Sequence, residues 1–208
     1  MTCEPHNLTL SGRRANPPAW RAFTLIELLV AIAIIATLIG ILLPALSTAR
    51  ARGVRTACSS NLRQVNMAMR SYLDANNDVY PFASFMPSMD AFPVPSGETI
   101  FIADLLAPHS ADPKVFACPM DQGQMERTVP NIGKSYFETE KSSYEYRAHL
   151  LGGQTMESAL KRIQEFMGRR PAENTVWIFR DYDNFHGKGG SEGARRYVYN
   201  DGHVTDFE

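Results

Sequence analysis

Residues 22–46 read AFTLIELLVAIAIIATLIGILLPAL, an apolar run that carries one carboxylate, Glu27, close to its start. The 24 residues from Phe23 to Leu46 can span about 30 Å of hydrocarbon at about 1.5 Å per residue. Charged groups inside a bilayer are costly, and those that occur there are usually functional or paired. The run therefore predicts a membrane anchor in which Glu27 has a specific role.

A cleaved secretory signal peptide is the alternative explanation of this run. A signal peptide has a short apolar core followed by a small-residue cleavage site. Residues 28–43 are 16 uncharged and mostly aliphatic residues, and the run ends in LLPAL at 42–46 without an Ala-x-Ala site. A permanent anchor is therefore favoured. Arginines lie on both sides of it, so counting charges does not fix its orientation.

The composition is that of a folded protein with a nearly neutral charge. The chain has 208 residues, of which 44% are hydrophobic, enough for one domain plus an anchor. Its net charge is −1, and removing residues 1–22, with three arginines and one glutamate, leaves 18 basic and 21 acidic residues, or −3. Such a charge gives no bulk electrostatic case for binding nucleic acid.

The segment FTLIELLV, residues 23–30, resembles the start of type IV pilins and type II secretion pseudopilins. In that superfamily a prepilin peptidase cuts before the phenylalanine, and the new amine is then methylated. The resemblance implies cleavage between Ala22 and Phe23 and N-methylation of Phe23. One position departs from the pattern, because the residue before the cut is usually glycine and here it is Ala22.

For Glu27 the resemblance implies that its carboxylate pairs with the amine of Phe23 in a neighbouring subunit. Such a pair would neutralise both charges in a dry filament core and set the axial register of the subunits. The alternative is an interfacial side chain that extends to water. The spacing from Phe23 leaves both interpretations open, and the motif favours the pairing.

The helix is predicted to continue beyond the apolar run, from about Phe23 to Ala75, or roughly 80 Å. Residues 74–78, DANND, supply a stop. Gly40 and Pro44 are the predicted weak points, because Pro44 removes a backbone hydrogen bond and should kink or locally melt the helix. In the second half, apolar residues recur every three or four positions and indicate one buried face. They are Val54, Cys58, Leu62, Val65, Met69 and Tyr72.

The predicted fold is α+β, with the long helix packed on a small antiparallel sheet. The chain is expected to divide into a leader (1–22), an apolar helix (23–46), its amphipathic continuation (47–77) and a globular head (78–208). The head patterns indicate a short helix or buried strand at 99–107, a strand at 143–147, a helix at 156–167 and strands at 175–179, 196–199 and 203–207. The turn Asn200-Asp201-Gly202 predicts a tight hairpin between the last two strands.

Three cysteines are present, and Cys3 would be removed with the leader. Cys58 and Cys118 would remain, an even pair in a compartment that permits disulfides. A bond between them would close 59 intervening residues and contribute roughly 4 kcal/mol in the chain-entropy treatment. Two unrelated small buried residues are the alternative. The choice stays open because sequence does not give the Cα separation.

A further resemblance, to a pseudopilin-like family common in planctomycete-type bacteria, extends along the chain. It rests on CSSNLRQ at 58–64, CPMD at 118–121 and DGHV at 201–204. That family ends in a histidine, a short variable segment and Asp-Gly, which implies a C-terminal motif of His186, Asp201 and Gly202. Here a longer segment of 14 residues separates His186 from Asp201, and the glycine-rich loop at 187–193 could hold the insertion.

Polar side chains near the C-terminus raise a metal hypothesis. Major pseudopilins carry a calcium site in this part of the head, so the resemblance implies a candidate calcium site at Asp201 and Asp206. No spacing matches a regular calcium loop or a zinc motif, so no cofactor is expected. No catalytic motif is present either, which predicts that the chain is not an enzyme. The residues behind the metal hypothesis are Asp181, Asp183, His186, Asp201, His203 and Asp206.

The sequence thus predicts a pilin-like structural subunit of a type II secretion or type IV pilus-like filament. Its expected partners are a prepilin peptidase, other pilin or pseudopilin subunits, an inner-membrane assembly platform and membrane lipid, with no nucleic acid. It is expected to cross the inner membrane once, with its C-terminal head in the periplasm or outside the cell. The alternative is a membrane-anchored module that does not polymerise and whose head binds a ligand.

Overall fold

The computed structural model describes residues 24–89, 97–123, 133–191 and 193–206. The predicted leader and the cleavage pair Ala22 and Phe23 lie outside these residues. The α-helices of the described part are α1 Leu25–Ala75, α2 Ile102–Leu106, α3 Tyr136–Glu140, α4 Ala148–Leu151 and α5 Met156–Met167. Its strands are β1 Tyr144–Tyr146, β2 Trp177–Asp181, β3 Arg196–Tyr199 and β4 Val204–Asp206. The predicted α+β fold with a long amino-terminal helix is confirmed.

The chain divides after Leu46 into two units, Met1–Leu46 and Ser47–Glu208. Helix α1 runs through Gly40 and Pro44 without interruption, so the prediction of local melting there is wrong. A proline removes a single backbone hydrogen bond, and the turns before and after it maintain the helix because helix formation is cooperative. A kink at this place stays a prediction.

In the second unit, one face of α1 lies in the core of the head. Val54 and Tyr72 pack at the edge of this core. The helix ends at Ala75, before Asn77 and Asp78, whose φ angles of +54° and +58° are tolerated better by asparagine and aspartate than by most residues. The predicted apolar face is therefore confirmed. Its members with at most 1% exposure include Cys58, Leu62, Val65 and Met69.

The four strands form one antiparallel sheet in the order β1-β2-β3-β4. Strands β3 and β4 are joined by the predicted hairpin, with Arg196 opposite Asp206. In its turn the N–H of Gly202 donates to the carbonyl of Tyr199 at 2.9 Å. The φ angle of Gly202 is +90°, a region that glycine enters without a steric penalty. The structure confirms the predicted strands, with ends that differ by one or two residues.

Helix α5 has the predicted bounds because both of its ends carry a cap. The hydroxyl of Thr155 accepts the N–H of Ser158 at 3.3 Å, a common start for a helix. At the other end Gly168 has a φ angle of +69°, and its N–H donates to the carbonyl of Gln164 at 2.8 Å. Leu160 is buried in the head, whereas Phe166 is exposed.

Three short α-helices, α2, α3 and α4, complete the described part of the head, and two of them were not predicted. The segment 99–107 contains a helix, α2, so the strand alternative is wrong. Helices α3 and α4 fall where no helix was expected. Helix α3 starts with a capping box, in which the Ser135 hydroxyl accepts the N–H of Glu138 at 3.1 Å and the Glu138 carboxylate accepts the N–H of Ser135 at 2.7 Å. The S-x-x-E spacing is a sequence signal for this start.

Candidate functional site

The first half of α1 presents an uncovered apolar surface. Every residue from Thr24 to Gly53 is exposed, and the large apolar side chains between Leu25 and Leu46 are 48–80% exposed. Among the described residues, α1 is the one helix that is long and apolar enough to cross a membrane, by length and composition alone. Apolar surface in water costs about 25 cal/mol per Å², so this segment requires lipid or other protein chains around it.

Glu27 lies in the first turn of α1 and forms a capping box with Thr24. The N–H and the hydroxyl of Thr24 each donate to Oε2 of Glu27 at 2.9 Å, and the N–H of Glu27 donates to the Thr24 hydroxyl at 3.2 Å. These bonds satisfy N–H groups that the start of a helix leaves without a partner. Both bonds to the carboxylate use Oε2, so Oε1 keeps its capacity to accept from another group.

A disulfide and a hydrogen bond attach adjacent turns of α1 to one loop of the head. Cys58 and Cys118 are bonded, with a Cα–Cα distance of 5.2 Å. One turn further along α1, the amide of Asn61 donates to the carbonyl of Ala117 at 2.9 Å. Residues three apart lie on the same side of a helix. The CSSN segment at 58–61 therefore holds the CPMD segment at 118–121 against α1.

Asp121, the last residue of the CPMD segment, connects this loop to α3 and to Ser143 by hydrogen bonds. Its carboxylate accepts the N–H groups of Tyr136 at 3.0 Å and Phe137 at 2.8 Å, at the start of α3. It also accepts the hydroxyl of Ser143 at 2.7 Å. The oxygen of that hydroxyl in turn accepts the N–H of Cys118 at 2.9 Å. The CPMD segment is thus a structural junction between the disulfide, α3 and the residue that precedes β1.

Replacing Asp121 by alanine should lower the free energy of unfolding of the head by about 2 kcal/mol, because hydrogen bonds to a charged acceptor are lost. The matched control is Asp112→Ala, which removes an exposed aspartate that accepts one N–H, that of Lys114, at 2.9 Å. Its expected cost is about 1 kcal/mol or less. Urea unfolding of the full chain in detergent measures both, and equal losses would contradict the role assigned to Asp121.

His186 belongs to the same buried neighbourhood. Its Nε2 lies 3.4 Å from Oδ2 of Asp181 and 3.8 Å from Sγ of Cys118, and the side chains of the histidine and the aspartate are 1% and 0% exposed. Burial raises the pKa of the Asp181 carboxyl, and the hydrogen bond with His186 opposes this rise. The N–H of Arg196 also donates to Oδ2 at 2.7 Å. Arg55 of α1 donates to the carbonyl of His186 at 2.8 Å.

In the described part of the chain, Cys58, Cys118 and His186 form the one group of three with metal-ligating atoms close together, within 4.8 Å of one another. A cysteine binds a metal as a thiolate. Both sulfurs are joined to each other here, so the bonded pair offers no thiolate. The residues present do not fit a metal centre while the disulfide is intact.

The predicted C-terminal residues lie in separate surroundings. Asp201 and Gly202 form the β3–β4 turn, and Oδ1 of Asp201 lies 2.5 Å from Nδ1 of His203. Asp206 forms an ion pair with Arg196 on the neighbouring strand. Neither aspartate belongs to a group of three metal-ligating residues among those described. Calcium binding by Asp201 and Asp206 stays a prediction, as does the motif that joins His186 to Asp201 and Gly202.

Comparison with known proteins points to the same amino-terminal segment. Residues 21–43 match the family described as the prokaryotic N-terminal methylation motif. No match was found among curated proteins or among solved structures. The match supports a type IV pilin-like protein, a pilin- or pseudopilin-like subunit processed by a prepilin peptidase. Together with the apolar helix, it indicates a membrane-anchored protein.

Proposed function

We propose that this chain is a structural subunit of a type II secretion or type IV pilus-like filament. A prepilin peptidase removes residues 1–22, the amine of Phe23 is methylated, and the mature subunits assemble through the first half of α1. Before assembly the same segment anchors the chain in the inner membrane, with the head in the periplasm or outside the cell. An assembly platform in that membrane transfers subunits to the filament.

The observation that carries this proposal is the exposed apolar half of α1 within a methylation motif. A helix that is apolar on all sides is stable either in lipid or among other apolar helices. Lipid alone would explain a simple tether. The matched motif, at residues 21–43, additionally supports processing at Phe23, a step that a simple tether does not require.

In the proposed filament, the second half of α1 connects the apolar half of the helix to the head and carries mechanical load between them. Near its start it is bonded covalently through Cys58 and Cys118. Near its end the guanidinium of Arg70 donates to both the carbonyl and the side-chain oxygen of Asn200. The hydroxyl of Tyr80 donates to the same side-chain oxygen at 2.9 Å. A filament subunit needs such a connection, because load on its assembled helix must reach the head without unfolding it.

In this proposal the chain supplies no catalytic residue of its own. It is first the substrate of the prepilin peptidase and then a structural subunit of the filament. The buried carboxylate–imidazole pair of its head, Asp181 and His186, lies beside the disulfide, where a substrate has no access.

The proposal is tested by the mass of the mature chain and by electron microscopy. Coexpression with a prepilin peptidase should yield a polypeptide that begins at methylated Phe23, and crosslinking of the membrane and surface fractions should give a ladder of oligomers that microscopy shows as filaments. A chain that still begins upstream of Phe23 would overturn the processing step. Correct processing with only monomers after crosslinking would favour the non-polymerising binding module.

A further inference from the structure

A cleft of about 700 Å³ lies on the head between α4 and α5. Its polar lining comes from Arg147, His149, Arg162 and Glu165, and its apolar lining includes Leu150, Ile163 and Phe166. This volume is within the range of about 300–1,000 Å³ that is usual for small-molecule sites. Such sites combine an apolar wall with a few polar groups that orient the ligand, as this cleft does.

In the described part of the head, Arg147 has an unpaired side-chain nitrogen and no carboxylate bound directly to it. Its guanidinium stacks on the ring of Trp177, 4.6 Å from the centroid, and its Nε is buried without a hydrogen-bond partner. The nearby carboxylate of Glu145 is engaged by Arg180, at 2.6 and 3.0 Å. Among the described residues, none forms an ion pair with Arg147. Glu145 is thus shared between two guanidinium groups, Arg180 and Arg147. A half-buried guanidinium that lacks a carboxylate of its own is costly, and an anion in the cleft would lower that cost.

The charged groups in and around the cleft set its electrostatic character. Burial lowers the pKa of Arg147 and the positive charge of Arg180 lowers it further, whereas the carboxylate of Glu145 opposes this fall. Burial and then the charge of Arg147 lower the pKa of His149. The carboxylate of Glu165 also lines the cleft, and in the described part of the chain it pairs with neither Arg147 nor Arg162. With two arginines and one glutamate, the lining has a formal charge of +1.

Part of the lining of the cleft is apolar and open to solvent. Phe166 is 92% exposed and Met167 is 71% exposed, next to each other at the end of α5. Single exposed apolar residues are common on protein surfaces. Here two adjacent ones border a cationic cleft whose lining also includes the half-buried Leu150 and Ile163. A ligand that contacts them would remove apolar surface from water.

We infer that this cleft binds a small amphipathic anion, a molecule with a carboxylate or similar anionic head and an apolar body. The guanidinium of Arg147 binds the anionic group of the ligand, and the positive charge of Arg162 adds to the attraction. The side chains of Leu150, Ile163 and Phe166 contact the body. This binding function goes beyond the structural role in a filament and does not depend on it.

The test uses 4-phenylbutyrate as the probe and the full chain in detergent. Equilibrium dialysis against empty micelles measures the bound probe directly. A Trp20→Phe chain has Trp177 as its single tryptophan, so a change in its fluorescence locates the probe beside Arg147. We expect saturable binding of 4-phenylbutyrate. The uncharged 4-phenylbutanamide, which lacks the anionic head, and inorganic phosphate, which lacks the apolar body, should bind at least about tenfold more weakly.

Matched variants separate the cleft from general effects of charge. Arg147→Gln should weaken binding by about tenfold or more, and Arg147→Lys should restore part of it. Phe166→Ser changes an exposed side chain, so the head still folds, and it should weaken binding by roughly threefold or more. Arg169→Gln removes a nearby charge that does not line the cleft and should bind as the unmodified chain does.

Three results would overturn the inference. One is the absence of saturable binding to the folded chain, with folding verified by circular dichroism. Another is equal binding by the Arg147→Gln and Phe166→Ser variants and the unmodified chain. The third is binding that is seen with vesicles of anionic lipid and not with soluble 4-phenylbutyrate, since that result would assign the cationic surface to a membrane.

Discussion

Replacing Glu27 by glutamine is expected to prevent filament assembly while the leader is still removed. In the proposed filament the Glu27 carboxylate neutralises the amine of Phe23 on the neighbouring subunit, in surroundings from which the apolar helices exclude water. A glutamine keeps the size and the hydrogen-bonding oxygen but not the charge, so the amine would be buried without a counter-charge. We expect the amount of filament to fall by roughly tenfold or more, measured by quantitative electron microscopy of the membrane and surface fractions.

The capping box makes glutamine a better test than alanine. Glu27→Ala removes the charge together with the bonds to Thr24, and loss of assembly could then follow from a frayed helix start. Glu27→Gln retains an oxygen that can accept from Thr24. The matched control is Thr24→Ala, which removes the hydroxyl of the cap and keeps the carboxylate. If pairing matters, Thr24→Ala should assemble at nearly the normal level.

Cleavage gives the internal control for both variants. In the proposed processing step the peptidase acts between Ala22 and Phe23, before the cap, so the mature mass should be found in every variant. Normal filaments from Glu27→Gln would contradict the pairing and leave Glu27 with its local role at the start of the helix. Equal losses in Glu27→Gln and Thr24→Ala would show that the cap, and not the charge, is what assembly requires.

Short-range sequence patterns predicted the helices and the hairpin that depend mainly on interactions between residues close together in the chain. The three- and four-residue recurrence in α1, the capped helix α5 and the Asn200-Asp201-Gly202 hairpin all depend on residues close together in sequence. Two further local signals in the sequence mark the starts of helices. They are the T-x-x-E spacing at 24–27 and the S-x-x-E spacing at 135–138, and both mark capping boxes in the structure.

The features that the sequence did not predict, such as α3 and the stacking of Arg147 on Trp177, depend on contacts between residues far apart in the chain. Helix α3 has only five residues, too few to be stable alone, and its first N–H groups are bound by Asp121, 15 residues earlier. Arg147 stacks on Trp177 only because β1 and β2 pair in the sheet. No single-sequence periodicity reports such contacts. This is why the amino-terminal apolar helix was predictable and the cleft between α4 and α5 was not.

Breaking the bond between Cys58 and Cys118 is expected to lower the free energy of unfolding of the head by about 4 kcal/mol in the chain-entropy treatment. The bond joins residues 60 apart in sequence, so its loss releases a long loop in the unfolded chain. The Cys58→Ser, Cys118→Ser double variant should show this loss in urea unfolding of the full chain. Cys3→Ser, which changes the third cysteine, should not.

Reduction and the neighbouring hydrogen bond make the test specific. Dithiothreitol should destabilise the unmodified chain and leave the double variant unchanged. Asn61→Ala removes the bond to the carbonyl of Ala117 and should cost about 1 kcal/mol while the disulfide is intact. That cost should shrink after reduction, because the loop that carries Ala117 is then no longer held beside α1. An unchanged unfolding midpoint after verified reduction would mean that packing of α1 against the head, and not the covalent bond, holds the two together.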